Sequence, residues 1–188
     1  MIPSPGNLPY EFRDTTLKDV ADNWRKEFEA EVQDNNFLRG GKSLMLLGAG
    51  AEHASRQWLA CLLRANFRAY RATPFEIVRR VSGLPVPWDD ETKKAMFEEA
   101  ECILIDDFFF DHDDGLSAGD AYRLWWFMLE AVRDGAVLVV ASNKEKIDTI
   151  NCYPDYVWEF VEETFEVICG SKTEKTSGGI KKRVKADR

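Results

Sequence analysis

The stretch SLMLLGAGAEHASRQWLACLLRA, residues 43–65, decides how the rest of the chain is read. SLMLLG (43–48) is a short apolar run bounded by glycine, the signature of a strand buried on both faces. Residues 54–66 follow with Trp58, Leu59, Leu62 and Leu63 on one side of a helix. The same alternation continues downstream. FRAYRAT (67–73) reads as a strand, and Pro74 opens the helix PFEIVRRV. GLPVPWDD (83–90) is a loop, ETKKAMFEEA (91–100) a short helix, and ECILID (101–106) an apolar strand ending in acid. Ser117 is an N-cap for the apolar helix AYRLWWFMLEAVRDG, which Gly135 stops. AVLVVASN (136–143) and TFEVIC (164–169) complete the strands, with helix or loop over 144–163. Strands alternating with helices predict an α/β fold in three layers around a central parallel sheet.

Upstream, residues 15–35 carry Leu17, Val20, Trp24, Phe28 and Val32 at helical spacing, with Thr15 or Thr16 as cap. The expected organisation is an arm with one helix over 1–40, an α/β domain over 41–170, and a flexible basic tail over 171–188. That tail holds five Lys and two Arg against Glu174 and Asp187, a charge of +5. The whole chain is −8, so the remainder carries −13 and repels nucleic acid at long range. The KKRVK run (181–185) is the local exception, read as a solvated tail or as a contact for nucleic acid or a partner. With 45% apolar residues the 188-residue chain can build one real core. Cys61, Cys102, Cys152 and Cys169 form no C-x-x-C pair, and Cys61 and Cys102 sit in apolar runs, which fits a reduced, cytoplasmic protein. The opening MIPSPGNLPYEF lacks the basic and apolar regions of a signal peptide, and no run is long and apolar enough to span a membrane.

In sheets of this kind, ligands sit beyond the carboxyl ends of the strands, and three candidate sites fall there. The first is GAGAEHAS (48–55). Against G-x-x-x-x-G-K-[ST], Gly48 takes the first position and Ser55 the last, with Gly50 inside the loop. His53 stands for the second glycine and Ala54 for the lysine. A shifted alignment puts Arg56 near the lysine position. Losing the lysine removes a charge-assisted phosphate contact worth about 1.5–3 kcal/mol, and a Cβ at residue 53 obstructs the backbone approach to phosphate. The alternative is an ordinary strand-to-helix turn. The second site is ECILIDDFFF (101–110), where Asp106 would hold Mg²⁺ and Asp107 would orient an attacking water; a solvated strand end is the plain alternative. The third is Ser142–Asn143, where Asn143 either contacts a γ-phosphate or caps the next helix. Asp111, His112, Asp113 and Asp114 invite a metal reading, but their spacing is not that of an EF-hand, and a solvated loop is favoured. His53 and His112 are the only histidines and no G-x-S-x-G occurs, which leaves nucleophilic hydrolase chemistry unsupported. Trp125 and Trp126 lie on a strongly apolar helix and are expected in the core.

The order YEFRDTTL (10–17), GKSLMLLG (41–48), FRAYRATPFEIVRRV (67–81), ECILIDDFF (101–109), VLVVASN (137–143) and the DYVWEF…FEVI end resembles the DnaC/IstB group of AAA+ ATPases over about residues 8–170. These are bacterial helicase loaders and transposition helpers. The resemblance implies a P-loop fold, ATP with Mg²⁺ at 48–55, Asp106 and Asp107 as the Walker B pair, and Asn143 as sensor 1. It also implies single-stranded DNA and a hexameric helicase, transposase or recombinase as partners. Two departures stand out. The Walker A lysine is missing, and DYVWEFVEE (155–163) has no arginine where the group carries its arginine finger, a residue worth about 10³–10⁵ in rate in P-loop enzymes. The expectation is a catalytically weakened adaptor for replication or for mobile-element or phage biology, gripping a helicase, a recombinase or an active paralogue. An active ATPase using Arg56 and a nucleotide-independent interaction module are the alternatives.

Overall fold

The structure is a computed structural model that describes residues 8, 10–12, 14–20, 24, 43–65, 67–86, 94, 98–108, 117–144 and 153–169. Five strands form one sheet: β1 (Ser43–Leu47), β2 (Ala69–Ala72), β3 (Cys102–Ile105), β4 (Val137–Ser142) and β5 (Phe165–Cys169). Their order is β2-β3-β4-β1-β5, and every pairing is parallel. Among the described residues, the helices with full ranges are α1 (Ala51–Arg64), α2 (Pro74–Val81), α3 (Ala118–Arg133) and α4 (Asp155–Thr164).

The inner strands β1, β3 and β4 are buried on both faces because helices cover both. Leu44, Leu46, Leu104, Val139 and Ile168 point into one cluster with Trp58, Leu59 and Leu62 of α1. Their chain neighbours Met45, Leu47, Ile105, Val140 and Val167 point the other way, against Leu124 and Met128 of α3 and Val157 and Val161 of α4. This period-two division of an unbroken apolar run makes three layers. Leu8, Phe12, Val20 and Trp24 join the α1 side, so the described part of the upstream stretch shares the domain core.

Local chemistry fixes where the helices start and stop. Thr73 accepts the Glu76 N–H at 3.3 Å while Glu76 accepts the Thr73 N–H at 2.8 Å, a reciprocal box with Pro74 in the first turn. Ser117 and Asp120 do the same for α3. Gly135, at φ 91°, closes α3 and turns the chain into β4.

Several boundaries differ from the sequence-based expectation. The expected helix over 15–35 begins as a 3-10 turn at Leu17–Asp19. There the Asp19 carboxylate accepts both the N–H and the hydroxyl of Thr16, at 2.7 and 2.8 Å, which fastens Thr16 to the end of this turn. Trp24 is helical; the other residues from 21 to 35 lie outside the described ones, as do the tail, Cys152 and 111–114. Trp126 is 45% exposed and Tyr122 51%, so the tryptophan pair is not core as expected. Ala121, Leu124, Phe127 and Met128 take the buried side of α3, which turns 122 and 126 outward and leaves Trp125 half-buried against Tyr156. Cys61, Cys102 and Cys169 are free thiols, and burial pushes Cys61 and Cys102 above the ordinary thiol range.

Because the Thr73 box pins the chain directly after β2, Thr73→Ala is expected to cost about 1 kcal/mol, read as a lower denaturant midpoint with an unchanged slope.

Candidate functional site

Strands β3, β4 and β1 are neighbours in the sheet, so their carboxyl ends bring Asp106, Ser142–Asn143 and Gly48 together. β1 ends at Leu47 and α1 begins at Ala51, leaving a turn of Gly48, Ala49 and Gly50. Gly48 (φ 103°) and Gly50 (φ 83°) both sit in the left-handed region, which is why two glycines lie here. The Gly48 N–H donates to the Ser142 carbonyl at 3.0 Å, and the Ala51 N–H returns to the Gly48 carbonyl at 3.0 Å. Helix α1 therefore starts three residues before the position expected from apolar spacing. Residues 51–55, expected within the loop, form its first turns.

The N-cap of α1 is Gly50, which has no side chain to offer the first N–H groups. Asn143 supplies the acceptor from across the sheet. Its Oδ1 takes the Glu52 N–H at 3.3 Å, and the Glu52 carboxylate takes the Asn143 N–H at 3.0 Å. Asn143 thus caps α1; residues 145–152, where the helix it was expected to cap would begin, lie outside the described residues. Glu52 brings a negative charge to the positive end of the helix. Burial holds its carboxyl above the usual carboxylate range, reinforced by the charges of Asp106 and Asp107 and opposed by the Asn143 N–H.

Asp106 is fully buried. Its Oδ2 accepts from Arg56 Nε at 2.5 Å and from Arg71 Nε at 2.6 Å, while its Oδ1 accepts the Asp107 N–H at 3.0 Å. Arg56 also lies 3.8 Å from Glu52. One chain of contacts therefore runs Asn143–Glu52–Arg56–Asp106–Arg71, tying together β4, α1, β3 and β2. Asp107 is exposed with φ 58°, a left-handed conformation that costs a side-chain-bearing residue some strain. The Phe108 N–H bonds the Ala141 carbonyl at 2.9 Å, and its ring stacks on Tyr153 at 4.5 Å.

The other expected loop residues are placed apart from this chain. The His53 ring meets Phe12 edge-on at 5.0 Å. Ala54 is buried in the core on the α1 side, and the Ser55 hydroxyl donates to the Glu52 carbonyl at 2.8 Å. Residues 155–163 form most of α4. Among the described residues no group of three or more His, Cys, Asp or Glu could hold a metal ion. Sequence reasoning missed Arg71 and Glu52. An arginine at the carboxyl end of a short strand was the available signal for the first. An acid in the first turn of a helix that follows glycines was the signal for the second.

No family profile matches the sequence, and no curated protein matches it by sequence. Solved structures do match by shape. The DnaC helicase loader aligns with a TM-score of 0.62 at 13% identity, over 86% of this chain and 99% of that one. DnaI gives 0.62 at 14% identity, over 87% and 95%. The replication initiator DnaA bound to AMPPCP and single-stranded DNA gives 0.61 at 11%, over 87% of this chain and 50% of that one. The fold is that of the DnaC-like AAA+ P-loop ATPases. Among the described residues of this AAA+ fold, no helix is long and apolar enough to cross a membrane.

Two measurements probe the contact chain. Asp106→Ala leaves two guanidinium groups facing each other without their shared carboxylate, and is expected to cost about 3–5 kcal/mol by chemical denaturation, since breaking a buried ion pair from one side strands the other charge. Glu52→Gln keeps an acceptor for the Asn143 N–H but cannot ionise. The raised Glu52 pKa means that the folded state holds its proton longer than the unfolded state, so this group's contribution to stability falls as pH rises from about 4.5 through the folded value. The stability of wild type relative to Glu52→Gln is therefore expected to decline over that window and level off above it, measured by denaturation at a series of pH values.

Proposed function

We propose that the chain is a catalytically weakened AAA+ protein of the helicase-loader type. It works in the cytoplasm as an adaptor in DNA replication or in mobile-element or phage biology, through a protein partner such as a hexameric replicative helicase. The observation that carries this reading is the placement of Arg56 and Arg71 on Asp106. In a P-loop ATPase the carboxylate at this strand end serves Mg²⁺. Here both its oxygens accept hydrogen bonds from the protein, and the Oδ2 accepts two from guanidinium groups. Two further features argue in the same direction. The turn of residues 48–50 is too short for the wide loop of backbone N–H groups that cradles phosphates. The amino end of α1 already bears the Glu52 carboxylate and the Asn143 amide oxygen. These residues do not fit Mg·ATP, which would have to displace the contacts they already make.

The shape similarity to a helicase loader over nearly all of the chain in its solved structure supports the choice of partner class. The body's charge of −13 supports a basic protein surface as the point of contact. The version in which Arg56 supplies phosphate charge requires Arg56 to leave Asp106, exposing a buried carboxylate.

Titration with a fluorescent ATP analogue, with and without Mg²⁺, is expected to show no saturable binding up to millimolar concentration, for wild type and for Asn143→Ala alike. Turnover of Mg·ATP that Asp107→Asn abolishes would overturn the proposal.

A further inference from the structure

All the exposed large apolar side chains among the described residues lie on one pair of packed helices and the turn after α2. Phe75, Val81 and Leu84 belong to α2 and its exit, and Tyr122 and Trp126 to α3. Scattered single exposures need no explanation, but a concentration on one helical layer marks a contact surface. Between these helices, at the amino ends of β3 and β4 and so at the opposite end of the sheet from Asp106, lies a cavity of about 310 Å³. Ile103, Trp126 and Phe127 contribute to its apolar lining, and Glu98, Glu130 and Asp134 are its charged members. Among the described residues, no lining residue is basic. Among the described residues, the partners of the three carboxylates are solvent-exposed: Lys94 for Glu98 at 3.8 Å, and Arg133 for both Glu130 at 2.6 Å and Asp134 at 3.6 Å. Exposed pairs of this kind contribute little and exchange easily.

We propose that this groove docks residues 171–188 of the same chain. That segment, SKTEKTSGGIKKRVKADR, carries +5 against −13 for the rest. It also holds two apolar residues, Ile180 and Val184, set among Lys181, Lys182, Arg183 and Lys185. An apolar floor with acidic members and no base matches that composition: the aliphatic pair meets Trp126 and Phe127, and the bases meet Glu98, Glu130 and Asp134. The reach is sufficient. β5 ends at Cys169, eleven residues before Ile180, which extended chain spans as about 36–40 Å. β3 lies three places from β5 in the sheet, about 15 Å across it, and the groove opens at the amino ends of the strands, about 16 Å along the sheet from Cys169. Tethering gives the segment a local concentration in the millimolar range, so a weak contact is enough to populate the docked form. Docking covers the most exposed apolar face of the body and withholds the basic run from other acidic surfaces. A partner offering a better basic-apolar segment would displace it.

The test uses the full chain labelled with 5-fluorotryptophan, with the Trp126 resonance assigned by its loss in Trp126→Phe. Two variants leave the core untouched: charge reversal at 181, 182, 183 and 185 to Glu, and the pair Ile180→Asp with Val184→Asp. The expected result is that both variants shift the Trp126 fluorine resonance in the same direction, and that 0.5 M salt shifts the wild type that way through screening. A synthetic 171–188 peptide added to the charge-reversed chain should move the resonance back. A Trp126 resonance identical in wild type and both variants overturns the proposal. A wild-type shift that appears only as protein concentration rises also overturns it, assigning the groove to a second copy's tail.

Discussion

The carboxylate of Asp106 is the point on which the upper end of the sheet depends. It is buried without exposure to water and shared by two arginines from different elements. A buried charge of this kind is tolerable only while its partners stay in place. Holding Arg56 fixes the pitch and rotation of α1 over the sheet, and holding Arg71 fixes the end of the edge strand β2. The Asp107 N–H on the second oxygen bends the chain into the left-handed conformation in which it leaves β3. Relaxing any one of these contacts loosens the other two.

A second clasp does comparable work a few ångströms along. Helix α1 begins on a glycine, so its N-cap offers no side-chain acceptor to the N–H groups of the first turn. The Asn143 amide and the Glu52 carboxylate settle this reciprocally between β4 and α1. The two clasps meet where Arg56 approaches Glu52. Nucleotide-binding relatives of a fold place a ligand where strand ends and a helix amino terminus converge. In this chain the same convergence is spanned by side chains that oppose and complete one another.

The sheet was legible from sequence because β1, β3 and β4 are short, almost wholly apolar runs between turn residues, and each of α2 and α3 begins with a capping pair three residues apart. The convergence of Gly48, Asp106 and Asn143 was legible for the same reason: all three fall at strand ends, and parallel strands put those ends on one side. What the pattern could not reveal was the pairing across it. Periodicity says that Arg71 lies in a strand and leaves Glu52 in the turn before a helix; it does not say which carboxylate or amide either will meet, because those partners stand 35 and 91 positions away. The start of α1 was missed because apolar spacing begins only at Ala54, whereas the helix is set by Gly50 and a cap from a distant strand. Trp126 was misplaced because an apolar helix with more large residues than one buried stripe can hold must turn some of them outward.

The position of β1 has a consequence for how the chain comes together. It is an early strand, yet it lies between β4 and β5. Its first residue, Ser43, accepts a hydrogen bond from the Leu138 N–H, 95 positions later, and β5 follows only at Phe165. At a synthesis rate of about 5–20 residues per second, β1 waits on the order of ten seconds for either neighbour. During that interval SLMLL is an apolar strand with two open edges, the kind of segment that seeks other strands. High separation between paired strands also slows folding after release. The centre of the sheet is thus among the last parts to close, and the newly made chain is most exposed to aggregation, or most dependent on chaperones, through the residues that end up deepest inside it.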